Sequence, residues 1–125
     1  MGAKRNTRLR RLVLATAMFA LLPALSAHGA GTKTLDIAIK NGVVTGSKSA
    51  RVTLGDTVIL RWTSDKPLEL HLHGYDLTVS VAPGGSAEMK VAARATGRFP
   101  VEVHMAGARG GHAHKPLFHL EVYPQ

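Results

Sequence analysis

The 125-residue sequence contains no cysteine. It therefore cannot form disulfides, thiolate zinc fingers, cysteine-ligated iron–sulfur clusters, the thiolate of a type 1 copper centre or a cysteine nucleophile. Aromatic residues make up only 5% of the chain, which argues against a base-stacking surface for single-stranded nucleic acids. The length suits one domain of ordinary size.

The N-terminal region has the pattern of a secretory signal peptide. A basic start is followed by the apolar run Leu12–Leu25 and then by small residues, which predicts a signal peptide over residues 1–27 with cleavage between 26 and 30. The apolar run is shorter than the roughly 20 residues of a membrane-spanning helix. We therefore expect no stable membrane insertion after cleavage, and an uncleaved anchor is the alternative. The basic residues are Lys4, Arg5, Arg8, Arg10 and Arg11.

Most of the formal net charge of +8 comes from this N-terminal segment, since residues 28–125 carry only +3. These residues contain no basic stripe with interleaved aromatic residues, so we expect no nucleic-acid binding. The expected location is the periplasm or the extracellular space. A domain of about 100 residues can be held by its hydrophobic core alone, and we assign that domain to residues 28–125.

The rest of the chain is typical of β structure. Apolar and polar residues alternate in eight short segments separated by turn residues, and no segment has a convincing helical period. This pattern predicts an all-β, two-sheet antiparallel sandwich of seven or eight strands, with no second domain. The predicted strands are Thr34–Lys40, Arg51–Leu54, Thr57–Thr63, Leu68–His73, Leu77–Val81, Ala87–Ala93, Phe99–Met105 and Leu117–Tyr123.

The histidines suggest a metal site. His71 and His73 are two residues apart on one predicted strand, so both side chains point to one face, with Cα atoms about 6.6 Å apart. Imidazoles at that spacing can converge on one ion at metal–nitrogen distances of about 2.0–2.1 Å. His104 ends another strand, and His112 and His114 lie in the glycine-rich segment that follows. Together they predict a metal site at one end of the sandwich.

Each of these residues also has a simpler interpretation. His71 and His73 alternate with leucines and can belong to a solvated face, and His112 and His114 can be ordinary loop residues. Met105 fits the core better than a ligand set, and His119 fits the surface. If cleavage follows Ala27, His28 becomes the N-terminus and can chelate copper with its amine and imidazole.

Neutral imidazole suits copper, zinc, nickel or iron, and copper heads the divalent affinity order. We therefore expect copper, with Cu(II) favoured and zinc as the alternative ion. Asp76 is a candidate acceptor that orients a ligand imidazole.

Three stretches resemble the cupredoxin-like superfamily, the fold of plastocyanin and azurin. They are Glu69–Asp76 (ELHLHGYD), Val81–Gly85 (VAPGG) and Thr96–His104 (TGRFPVEVH). The likeness is closest to the cysteine-lacking EfeO-type domain of bacterial periplasmic proteins and extends from Thr34 to Pro124. It implies an eight-stranded Greek-key sandwich with its metal site at one end. The ligands it implies are His73 and His104 first, with His71, His112 and His114 next.

The chain departs from the blue-copper members of that superfamily in one respect. Their strand equivalent to Phe99–Val103 ends in a cysteine, and a methionine closes the next loop, whereas this sequence has His104 and no methionine near Lys115. A type 1 electron-transfer site is therefore excluded.

We expect an exported copper-binding protein for metal handling or tolerance, which is not an enzyme. The main rival is a metal-free interaction or accessory module. A small metal-dependent oxidase or oxygenase using His28 is a third, weaker option. No particular protein partner is indicated.

Overall fold

The computed structural model describes residues 1–2, 29–104 and 116–125. These residues contain no helix that is long and apolar enough to cross a membrane. Residues 3–27 of the predicted signal peptide lie outside the described residues, as do His28, Met105, His112 and His114. The described part forms nine strands: β1 (Thr32–Lys40), β2 (Val43–Val44), β3 (Ser49–Thr53), β4 (Thr57–Ser64), β5 (Leu68–Leu72), β6 (Leu77–Val81), β7 (Ser86–Ala92), β8 (Gly97–His104) and β9 (Phe118–Tyr123).

The strands form two facing sheets, a four-stranded sheet in the order β2-β1-β4-β7 and a five-stranded sheet in the order β3-β9-β8-β5-β6. The predicted all-β sandwich is therefore confirmed, and all eight predicted strands are present. The ninth strand, β2, is only two residues long and pairs with the end of β1 across the Asn41–Gly42 turn. Both turn residues have positive φ angles, 51° and 77°, as two-residue hairpin loops require. Two residues are too few for an alternation to be recognised in the sequence.

The predicted antiparallel arrangement is only partly right, because each sheet contains one parallel pair. β1 runs parallel to β4, and β3 runs parallel to β9. Alternation of apolar residues fixes which face of a strand is buried, but it does not fix the direction of the neighbouring strand. Parallel neighbours need a long connection, and the chain between β1 and β4 supplies one by passing through β3 in the other sheet.

The core lies between the two sheets and is filled by the apolar residues of the alternation. Leu60 and Trp62 on β4, and Leu70 and Leu72 on β5, are fully buried. The Trp62 ring meets Phe118 edge to face, with centroids 5.5 Å apart, an arrangement that aromatic pairs prefer. Because the leucines of β5 point inward, the residues between them point to the outer face of the five-stranded sheet.

Asp56 ties the start of β1 to the turn between β3 and β4. Its carboxylate accepts hydrogen bonds from the Thr53 N–H (2.9 Å) and the Gly31 N–H (3.2 Å), and from the Lys33 ammonium (2.6 Å). The hydrogen bond from Lys33, followed by the one from Thr53, holds the pKa of Asp56 at about 2 instead of 3.8. These contacts favour the charged carboxylate in the folded state.

We expect Asp56→Asn to lower the melting temperature at neutral pH. A depressed carboxyl pKa stabilises the fold above the unfolded-state value, and this contribution disappears as the pH falls towards the folded-state pKa of about 2. The difference from the unaltered protein should therefore shrink between pH 4 and pH 2 in thermal melts followed by circular dichroism. Asp36→Asn, which changes a largely exposed carboxylate, is the control. Equal melting temperatures of Asp56→Asn and the unaltered protein at neutral pH would contradict this role.

Candidate metal centre

Three of the predicted ligands lie on the outer face of the five-stranded sheet. β5 and β8 are antiparallel neighbours, with Glu69 opposite His104 and His71 opposite Glu102. His73 directly follows β5, and its backbone N–H donates to the Pro100 carbonyl of β8 at 3.0 Å. Strand pairing therefore places His104, His71 and His73 in a diagonal row across two strands.

The His71 ring is close to each of the other two imidazole rings. The ring centroids of His71 and His73 are 4.3 Å apart, and those of His71 and His104 are 5.6 Å apart. Two imidazoles that bind one ion do so at metal–nitrogen distances of about 2.0–2.1 Å. The described residues contain no group of three histidine, aspartate or glutamate side chains already arranged to hold an ion. These three residues are therefore neighbouring candidate ligands and not a formed metal site.

Two carboxylates contact this row, which we call the histidine row (His71, His73 and His104). Nε2 of His73 lies 2.9 Å from Oε2 of Glu102, and Nε2 of His71 lies 3.2 Å from Oδ1 of Asp76. Glu102 keeps only 13% of its side chain exposed, whereas Asp76 is 99% exposed. Asp76 thus lies beside a candidate ligand, as the sequence predicts. Glu102 belongs to the same site, although the sequence did not mark it as a site residue.

A tight turn at residues 73–76 connects His73 to Asp76. Gly74 and Asp76 both have positive φ angles, 83° and 54°. Tyr75 between them is buried, its hydroxyl donates to the Ala95 carbonyl at 3.3 Å, and its ring packs against Phe99 with centroids 4.7 Å apart. The buried tyrosine anchors the turn to the rest of the fold.

The position of the described histidines differs from the prediction of a site at one end of the sandwich. His104 ends β8 and His73 directly follows the antiparallel β5, so the two lie towards opposite ends of this strand pair, while His71 lies within β5 and faces outward. The cause is the alternation with Leu70 and Leu72, which turns the intervening side chains away from the core. His112 and His114 fall outside the described residues, so their part of the prediction stays a prediction.

His119 lies on the same outer face but one strand further away. It pairs with Pro100 across β8 and β9, and its Nδ1 lies 3.4 Å from the Arg98 guanidinium. Burial, and then the positive charge of Arg98, lower the pKa of His119. The neighbouring cation disfavours a second positive ion at this ring, and the His119 side chain is half-buried on the outer face.

Comparison with known proteins shows the fold. No family model matches the sequence, and no curated protein matches it. Among solved structures, a heme-copper terminal oxidase dimer superposes with a TM-score of 0.57 at 21% identity, over 73% of this chain and 65% of that one. The Blue Copper Oxidase from Nitrosomonas europaea superposes with a TM-score of 0.56 at 19% identity, over 77% of this chain and 40% of that one. A copper binding protein in the apo form superposes with a TM-score of 0.58 at 8% identity, over 76% of this chain and 97% of that one.

These neighbours are cupredoxin-like, and the chain has the cupredoxin-like β-sandwich fold. It spans less than two thirds of the length of each of the two oxidases. The likeness concerns the arrangement of strands, at identities of 21% or less.

We expect Gly74→Ala to destabilise the protein more than Gly84→Ala. Both glycines have positive φ, but a Cβ at Gly74 would lie 2.6 Å from the Phe99 ring, whereas one at Gly84 meets nothing within 4 Å. Gly84→Ala should cost about 1 kcal/mol for the backbone conformation alone. Gly74→Ala should cost about 1–3 kcal/mol more, because overpacking displaces the ring. Urea denaturation measures both, and equal losses would show that Phe99 does not constrain the turn.

Proposed function

We propose that the protein is a periplasmic or secreted copper-binding protein that serves metal handling or tolerance and is not an enzyme. The observation that carries this proposal is the histidine row, with centroids 4.3 and 5.6 Å apart on two adjacent strands. His73, His104 and His71 are the proposed ligands, with the His71 ring between the other two and close to each. His112 and His114 are further candidate ligands from the sequence alone. The signal-peptide pattern of residues 1–27 supports export.

The chemistry of the donors favours a divalent transition metal. Neutral imidazole binds copper more strongly than the other divalent first-row ions, and the nearby carboxylates of Glu102 and Asp76 add negative charge. The copper proteins among the structural neighbours support copper over zinc. The resemblance to EfeO-type periplasmic domains supports a periplasmic metal-binding protein.

The exposure of the histidine row suits a cargo ion better than a sealed cofactor. His71 keeps 21% and His73 keeps 40% of the side chain exposed, so an ion held there stays accessible to an incoming ligand. Without a cysteine thiolate the site lacks the donor set of type 1 copper centres. Reversible binding and release are therefore the proposed role, and electron transfer is not.

A metal-free interaction module is the second candidate, and one observation favours it. His71 and His73 already have carboxylate partners, so one nitrogen of each ring has a polar contact without an ion. In this alternative the outer face is a polar surface for a protein partner. The two candidates differ in their response to copper.

We expect the double variant His73→Ala, His104→Ala to bind Cu(II) at least about tenfold more weakly, a loss of about 1.4 kcal/mol or more. Isothermal titration calorimetry on the purified protein measures the affinity. His119→Ala is the matched control, because it removes an imidazole from the same face of the sheet but from outside the histidine row. Unchanged affinity in the double variant would refute the ligand assignment.

Copper should also raise the melting temperature. Free Cu(II) at one hundred times Kd stabilises the folded state by about 2.7 kcal/mol, which corresponds to about 10 °C or more for a domain of this size. Differential scanning calorimetry with Cu(II) measures the shift, and Mg²⁺, which prefers oxygen ligands, is the control ion. A melting temperature that is unaffected by copper would favour the metal-free module.

A further inference from the structure

We infer that Glu102 and Asp76 are positioning residues that fix the tautomers of His73 and His71, so that both rings offer Nδ1 to the ion. This inference rests on the proposed function and specifies which atoms bind. Of the two carboxylates, Glu102 has the larger effect on ring orientation and on metal affinity.

The contacts define where the ring protons lie. A neutral imidazole has one N–H donor and one nitrogen lone pair, and an ionised carboxylate can only accept. Since Nε2 faces the carboxylate in both pairs, at 2.9 Å for His73 and 3.2 Å for His71, the proton lies on Nε2. The lone pair that can bind a metal is therefore on Nδ1 of each ring.

The side chain of Glu102 is held in place more firmly by its surroundings than that of Asp76. It belongs to β8, which has paired neighbours on both sides, β5 and β9. Its side chain is 13% exposed and makes the shorter contact, while Asp76 is 99% exposed at a turn. A carboxylate that is fixed by its surroundings restricts the ring it contacts more strongly than one in free solvent.

Glu102 lies beside both His71 and His73. It lies directly opposite His71 in the strand register and contacts His73 through its side chain. A carboxylate on the outer nitrogen of a ligand histidine fixes ring orientation and raises the basicity of the binding nitrogen, and its loss typically weakens metal binding about 10- to 100-fold. Glu102 should therefore affect affinity without itself being a ligand.

The first test uses the metal-free protein. Long-range ¹H–¹⁵N NMR correlation distinguishes the two tautomers of each histidine. We expect His73 to carry its proton on Nε2, Glu102→Ala to shift it towards a tautomer mixture, and Glu102→Gln to retain it, because the amide oxygen still accepts. A proton on Nδ1 of His73 in the unaltered protein would overturn the inference, whether or not copper binds.

The second test measures Cu(II) affinity by calorimetry. We expect Glu102→Ala to weaken binding about 10- to 100-fold, with partial rescue in Glu102→Gln. Glu121→Ala is the matched control, since Glu121 is similarly hidden, 16% exposed, but contacts Arg51 and Arg98 instead of the histidine row. Far-ultraviolet circular dichroism confirms that each variant is folded.

The outcomes separate the inference from the proposed function. If the unaltered protein binds copper and Glu102→Ala binds it equally well, the positioning role is wrong and the copper function stands. If the unaltered protein binds no copper, the proposed function fails, and the metal-binding part of this inference fails with it.

Discussion

The antiparallel pairing of β5 with β8 is the interaction on which the candidate site depends. Its register places His71 opposite Glu102 and Glu69 opposite His104, which brings residues about thirty positions apart in the sequence onto one patch. A shift of one residue would turn every side chain of one strand to the opposite face. The buried leucines of β5 prevent such a shift, because it would expose them. The hydrophobic core and the site are thus fixed by the same alternation.

This arrangement places imidazoles and carboxylates on the outer face of the five-stranded sheet, apart from the core of the cupredoxin-like fold. The interior of the described part is mostly apolar, with Trp62 against Phe118. The imidazoles and carboxylates are on the solvent side, where polar groups cost little to hold. An ion bound on this side would stay accessible to the surroundings, and this exposure is the basis of the proposed cargo role.

Much of the fold could be predicted from the sequence, because period-two alternation is a local property. The buried faces of β4 and β5 follow directly from residues such as Leu60 and Leu70. The parallel pairs β1–β4 and β3–β9 could not be predicted in the same way, since strand order depends on contacts between distant segments. The candidate site, too, could be predicted only in part from the sequence. Local spacing identified His71 and His73, whereas Glu102 became a partner of His73 only through the register of β5 and β8. A metal site at one end of the sandwich stays a prediction, because His112 and His114 lie outside the described residues.

The most direct test of the central claim is electron paramagnetic resonance of the protein loaded with one equivalent of Cu(II). Coordination by the histidine row predicts nitrogen couplings from more than one imidazole. It also predicts that these couplings are lost when His71, His73 and His104 are all replaced by alanine. An identical spectrum from the triple variant, or a spectrum without imidazole couplings from the unaltered protein, would contradict the account.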